Sequence, residues 1–468
     1  MVDYERINAA VRAGNDTSCV VIRPEALSLT EATFAQYFEQ QPAVVVADET
    51  TFAIAGEAVH DRLVAAGHRV EEPFVFPGTP TLYASYDNVI KLEEKLRLCA
   101  AIPVAVGSGT INDIMKLAAH QVGRQYMCVA TAASMDGYAA FGAAITRDNF
   151  KQTMSCPAPR AVLGDLNVLI HAPSDMNSAG YGDLLGKITA GADWILADAV
   201  GSEPMNPRAW SLVQDQLRTW TSHPDRLHAG DELEIESLFE GLIMSGLAMQ
   251  FSRSSRPASG TEHRFSHLWE MQALGRRKAT VPHGFKVGVG TIAAAALYER
   301  VLARDMSHLD IDALCNAWPS RLEVQQAVLQ AHDMPQLAEH AVGESLVKYI
   351  DADQLRQRLD LLREHWPTIR ERLESQLMTV DQLRELLRAA GCPTHPEEIG
   401  VSLSQLKESY GLARTIRSRY TVLDFVNETG ILSECVDELF APGGFWSRGG
   451  VRQMHSSVVV NERETMSS

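Results

Sequence analysis

Short apolar runs, each too brief to be a helix, recur through the first third of the chain with helical stretches between them. Residues 43–47 (AVVVA), 73–76, 102–106 (IPVAV) and 127–130 have the length and side-chain character of buried strands rather than buried helix segments. Residues 57–66 and 87–101 carry helical spacing between them. Strands separated by helices predict βαβ units, hence a parallel sheet wound right-handed. That single alternation excludes an all-helical bundle or an antiparallel sandwich for this part of the chain.

After about residue 170 the period changes. Residues 178–199, 232–250, 291–303 and 310–440 place apolar side chains at intervals of three and four without strand signals. The expectation is a parallel-sheet α/β domain over residues 1–170 followed by an all-helical domain over 171–442. Residues 145–169, punctuated by Pro and Asn, read as a hairpin and connector, and 443–468 as a flexible tail.

Lys and Arg number 42 against 59 Asp and Glu, giving 42 − 59 = −17. That field argues against nucleic acid or an anionic membrane as a partner. An anionic ligand would need local help from helix N-termini, a metal or a few cations. The seven cysteines are dispersed with no C-x-x-C pair, which predicts neither disulfides nor a cysteine zinc site. The N-terminus lacks an apolar signal segment and no run approaches the roughly 20 apolar residues of a membrane span. A reduced, cytoplasmic protein without membrane insertion follows.

Four features carry chemistry. Residues 107–113 (GSGTIND) follow the IPVAV strand and enter a helix, the arrangement in which backbone N–H groups approach a pyrophosphate. The same stretch also fits a tight strand–helix turn, and neither the lysine-containing phosphate loop nor a full G-x-G-x-x-G is present. Thr131, Ala132, Ala133 and Ser134 lie just beyond a second strand, where open α/β sheets bind ligands. Asp48 ends the AVVVA strand, positioned either to accept from a ribose hydroxyl, which favours NAD over NADP, or to cap the next helix. His263 and His267 stand four apart in SRSSRPASGTEHRFSHLWE, on one helix face, with His283 in VPHG and Asp183 in AGYGD as further ligand candidates. Spacing alone makes both His263 and His267 metal ligands, and three His/Asp ligands would leave positions open for catalysis. Read without chemistry, the pair are solvated residues, His283 a helix-start residue and Asp183 an acid interacting with a helix dipole. His223 and His228 read as loop residues, 292–297 as close helix packing, and Arg414, Arg417 and Arg419 as a solvated or salt-bridged face rather than a phosphate site.

Taken in order, GSGTIND (107–113), TAASMDGYA (131–139), AGYGDLLGK (179–187), SRPASGTEHRFSHLWEM (255–271), HGFKVGVGT (283–291) and RTIRSRYTVLDF (414–425) resemble the bacterial branch of the glycerol-1-phosphate dehydrogenases in the iron-containing alcohol dehydrogenase superfamily. The resemblance implies a Rossmann-like N-terminal domain, a helical C-terminal domain and an active site in the cleft between them. It implies NAD, with NADP as the alternative, and one divalent metal ion (Zn, Ni or Fe). By the same resemblance Asp183, His263 and His283 are metal ligands, and Asp136, Asp183 and His267 contact substrate, Asp136 and His267 in catalytic roles. The cofactor contacts it implies are Asp48, Gly109, Thr110, Ile111, Asn112, Asp113, Thr131, Ala132, Ala133 and Ser134. A cofactor-contacting Ser of relatives corresponds here to Ala140, removing one hydrogen bond worth on the order of 1 kcal/mol. The implied reaction interconverts dihydroxyacetone phosphate and sn-glycerol 1-phosphate in a homodimer or larger homo-oligomer. Arg253, Arg256 and Lys187 are the cations expected at the substrate phosphate. Rival readings are a dehydrogenase of unphosphorylated polyols, a cyclising lyase resembling dehydroquinate synthase, and an inactive scaffold.

Overall fold

A computed structural model describes residues 2–79, 81–148, 150–275 and 281–448. Eight strands are present among them: β1 (Cys19–Arg23), β2 (Ala43–Asp48), β3 (Val70–Phe76), β4 (Ile102–Gly107), β5 (Met127–Ala130), β6 (Ala143–Arg147), β7 (Phe150–Met154) and β8 (Ala161–Asp165). Six form one wholly parallel sheet in the order β1-β8-β5-β4-β2-β3. The inner strands are buried along their length, as continuous apolar runs require when helices cover both faces.

The chain leaves β2 outward to β3, then returns across β2 to β4. Ligands of open α/β sheets bind in the crevice outside the strand ends where the order reverses in this way. Asp48 stands at the end of β2 and Gly107 at the end of β4, so both flank that crevice. Helix α1 (Gly109–Gln121) starts two residues beyond β4 and is buried along most of its length.

Among the described residues, every regular element after β8 is helical. Those that build the site are α2 (Ser174–Leu185), α3 (Lys187–Ala199), α4 (Glu232–Ser252), α5 (Thr261–Gly275) and α6 (His283–Leu302). The α2–α6 contact is made almost backbone to backbone. A Cβ on Gly182 would stand 2.5 Å from the Gly284 carbonyl oxygen, and one on Gly284 1.7 Å from that of Ala179. Only glycine permits this approach, and it brings Asp183 and His283, the neighbours of those glycines, into one place.

Three details depart from the sequence reading. The stretch read as connector holds not only an antiparallel hairpin, β6–β7, but also β8, an interior strand of the main sheet. Strand β1 (CVVIR), which the sequence reading missed, is an edge strand with alternating burial. Residues 449–468 of the expected tail lie outside the described residues, but its start is packed: Trp446 is buried against Phe440 and Phe445 and donates to Tyr410 at 3.2 Å. No described helix is long and apolar enough to cross a membrane.

Candidate functional site

A cleft of about 560 Å³ runs from the end of β2 to the start of α6. At its helical end His263 (α5) and His283 (α6) line the wall, and with Asp183 (α2), which is fully buried and not itself a lining residue, each offers one ligand atom, all within 4.8 Å of one another. His267, one turn after His263, lines the cleft but lies outside that set, its ring 6.0 Å from His263 and 5.8 Å from His283. The structure therefore groups three of the four histidine and aspartate candidates that spacing alone had treated as equals.

The groups behind the three explain their posture. His263 Nδ1 lies 2.8 Å from Glu262 Oε1, and the other oxygen of that carboxylate accepts from Thr189 at 2.8 Å. His283 Nδ1 lies 3.0 Å from Glu270 Oε1 and 3.2 Å from Ser266 Oγ. A carboxylate behind Nδ1 fixes each ring and its tautomer and turns Nε2 toward the common point, the arrangement that supports a metal-binding imidazole. Asp183 is fully buried, its Oδ1 2.7 Å from Lys187 Nζ and 3.4 Å from His263 Nε2, its Oδ2 accepting from the Asp136 amide at 3.0 Å. Burial opposes the charge on Asp183, yet Lys187, His263 and His283 hold its carboxyl well below the usual range. Burial would also lower His263, but the Asp183 and Glu262 carboxylates reverse this and push it up to about 9. The site is thus built to hold positive charge, and two imidazoles with one carboxylate suit a divalent ion of the zinc, nickel or iron kind. The residues present fit such an ion.

Asp136 joins this network from the sheet side. Its Oδ2 lies 2.8 Å from Lys187 Nζ and accepts from Ser245 Oγ at 2.9 Å, while the residue still lines the cleft. Lys187 is enclosed between Asp136 and Asp183; burial works against its charge, but the two carboxylates push its pKa up. Burial, then Arg417, drives His267 well below the ordinary histidine value, so it stands as a neutral imidazole.

At the sheet end, the cleft is lined by Asp48, Gly109, Thr110, Asp113 and Ser134. Asp48 does cap the short helix that follows: its Oδ1 accepts from the Thr51 amide at 2.8 Å and Thr51 Oγ1 accepts from the Asp48 amide. The capping and ribose readings coexist, since a carboxylate has lone pairs for both. Ile111, Asn112, Thr131, Ala132 and Ala133 do not line the cleft; they are buried beneath it. Asn112 donates to the Gly137 carbonyl and accepts from Tyr126, and the Ala133 amide donates to Asn177. Ala140 lines the cleft within a small apolar group with Met249 and Ala258.

The cations expected at a substrate phosphate are elsewhere. Lys187 is consumed as described. Arg256 is buried, donating to the Tyr420 and Asp193 carbonyls, and Arg253 faces Asp16 outside the cleft. The arginines read as a solvated face are part-buried instead: Arg419 donates to the Ser259 carbonyl and to Ser254 and Ser255, bracing the turn before α5. Sequence reading missed Glu262, Glu270, Lys151 and Lys286. Glu262 and Glu270 were signalled only by their place on the histidine helix, and Lys151 gave no signal at all.

The family description "Iron-containing alcohol dehydrogenase" matches residues 21–173. The glycerol-1-phosphate dehydrogenase [NAD(P)+] of Geobacillus thermodenitrificans (strain NG80-2) is 30% identical over 419 residues, covering 87% of this chain and 92% of that protein. The protein of the same name from Bacillus subtilis (strain 168) is 32% identical over 394 residues, 84% and 86% of the two chains. Among solved structures, a probable glycerol dehydrogenase from Sinorhizobium meliloti 1021 shares the fold with a TM-score of 0.58 and 14% identity, over 90% of this chain and 98% of its own. With relatives of this name 30–32% identical over 84–87% of its length, the chain belongs to the glycerol-1-phosphate dehydrogenase family of the iron-containing alcohol dehydrogenases.

Proposed function

We propose that this chain catalyses the reversible NAD(P)-dependent, metal-dependent reduction of dihydroxyacetone phosphate to sn-glycerol 1-phosphate. The observation that carries it is the convergence of Asp183, His263 and His283 at one end of a cleft whose other end is the switch point of a parallel sheet. When bound, the divalent ion supplies Lewis-acid polarisation at the ketone oxygen and the nicotinamide supplies or accepts the hydride at C2.

The chain's own residues prepare that encounter. Glu262 and Glu270 keep His263 and His283 turned inward, and Lys187 bridges Asp136 and Asp183 so that the two carboxylates can lie close together. The N-terminus of α1, with the amides of Gly109 and Thr110, faces the cofactor pyrophosphate, and Asp48 faces the adenosine ribose and disfavours a 2′-phosphate there. Ser134 and Asp113 complete the cofactor wall, while Ile111, Asn112, Thr131, Ala132 and Ala133 hold the loops in shape from below. His267, neutral and one turn from His263, offers one N–H and one acceptor nitrogen to the substrate hydroxyls. Together with the free oxygen of Asp136 it orients substrate and passes the alcohol proton to solvent. Seven free cysteines support a reducing, cytoplasmic setting, and a homodimer or larger assembly completes the reading.

The test is NADH consumption by purified protein with dihydroxyacetone phosphate and with free dihydroxyacetone, after chelation and after adding back Zn²⁺, Ni²⁺ or Fe²⁺. Turnover should require metal, and kcat/KM should favour the phosphorylated ketone by about a hundredfold or more. Preference for the free ketone would make it a polyol dehydrogenase, and conversion without net NADH loss a cyclising lyase.

A further inference from the structure

Behind His283, Glu270 also carries two lysines that the reaction as described leaves unused. Glu270, on α5, is almost fully buried and receives two ammonium groups: Lys286 Nζ at 2.9 Å from Oε1 and Lys151 Nζ at 2.8 Å from Oε2. Lys286 follows His283 by three residues on α6. Lys151 comes from β7, so the hairpin of the sheet half reaches across to the histidine helix. Both lysines line the cleft, and among the described lining residues they are its only Lys or Arg side chains.

Two ammonium groups share one carboxylate, leaving a local excess of one positive charge in a protein whose net charge is −17. Each ammonium has three donors. Lys286 also donates to the Val281 carbonyl at 2.8 Å, whereas Lys151 has no second acceptor within the described residues. Its side chain is 14% exposed and lines the cleft. A low-dielectric wall around such a pair strengthens its attraction for an anion over that of surface lysines. Glu270 also holds His283, so the positive pair sits one carboxylate away from the candidate metal site. On a small phosphoester ketone the phosphate is one methylene and one ester oxygen from the carbonyl, and this is the cationic wall that such a molecule meets.

We propose that Lys151 and Lys286, gathered on Glu270, form the phosphomonoester subsite and set the choice of phosphorylated over free substrate. The inference rests on the reading that the substrate is a phosphorylated ketone. Its test is the ratio of kcat/KM for dihydroxyacetone phosphate to that for dihydroxyacetone, measured on metal-loaded wild type, Lys151→Met, Lys151→Arg and Lys286→Met, with inhibition by inorganic phosphate as a second readout. The ratio should fall about 30-fold or more in Lys151→Met, fall in the same direction in Lys286→Met, and recover in Lys151→Arg. The inhibition constant of inorganic phosphate should rise in step. An unchanged ratio and unchanged phosphate inhibition in folded Lys151→Met would overturn the subsite and leave the activity standing. A wild type without preference for the phosphorylated ketone would instead overturn the reading on which the subsite rests.

Discussion

The two ends of the cleft are built by opposite means. At the sheet end, apolar strands deliver backbone to the crevice, and few of the expected cofactor residues present side chains there: Asp48, Thr110, Asp113 and Ser134 line it, while five others lie beneath. At the helical end, recognition is wholly by side chains, and each one is held by another polar group: His263 by Glu262, His283 by Glu270, Asp183 by Lys187 and the Asp136 amide. A surface made of main chain tolerates side-chain replacement, whereas a chain of buried polar partners fails at the first missing member. The contrast predicts unequal consequences of mutation on the two sides.

The largest expected effect is that of His263→Ala. It removes one of three ligands, so metal content measured by elemental analysis should drop to background and turnover should fall on the order of 10³-fold or more. NADH binding, followed by fluorescence, should persist, since the sheet end does not depend on that ring. Loss of NADH binding as well would erase the distinction between the ends. If His267→Ala lost the metal as completely, the ligand set would have to include His267.

Next is Glu270→Gln, which touches no ion directly. By replacing the carboxylate behind Nδ1 of His283 with a neutral amide it should weaken metal affinity by about 10- to 100-fold in a chelator competition. An unchanged affinity would mean that the helical end is less interdependent than its hydrogen bonds suggest.

Gly182→Ala asks whether the backbone approach of α2 and α6 fixes the site. The new methyl would meet the Gly284 carbonyl, and overpacking of this kind costs about 1–3 kcal/mol. Thermal denaturation and metal affinity should fall together. A drop in stability with full affinity would separate the packing from the ligand geometry.

The smallest effect belongs to the sheet end. Asp48→Ala should shift the NAD/NADP ratio in kcat/KM toward NADP by about tenfold and cost about 1 kcal/mol of stability through the lost cap. An unchanged ratio would show that the carboxylate serves only as a cap.

The same contrast explains what the sequence could reveal. Strands β2, β4 and β5 were legible because sheet burial writes itself as continuous apolar runs, and the glycine turn because it must sit directly after β4. Strand β8 was not, because AVLGD follows Pro157 and Pro159, which mimic a connector. His263 and His267 were visible as a pair on one helix, but period cannot say which of two cleft-facing rings meets Asp183; that depends on the α2–α6 approach. Lys151 meets Glu270 from 119 residues away (270 − 151), and nothing local marks such a partnership. Lys187, Arg256 and Arg253 were plausible phosphate cations by proximity in sequence, yet each already has a carboxylate or carbonyl to satisfy.

One bond described above ties the two ends into a single device. The Asp136 amide, on the stretch that continues from β5, donates to Asp183 Oδ2. Any tilt of the sheet half against the helices would therefore tug on the carboxylate proposed to hold the ion. On the proposed assignments this would link dinucleotide docking to ion retention, and arrival of NADH should alter how fast a chelator strips the loaded enzyme.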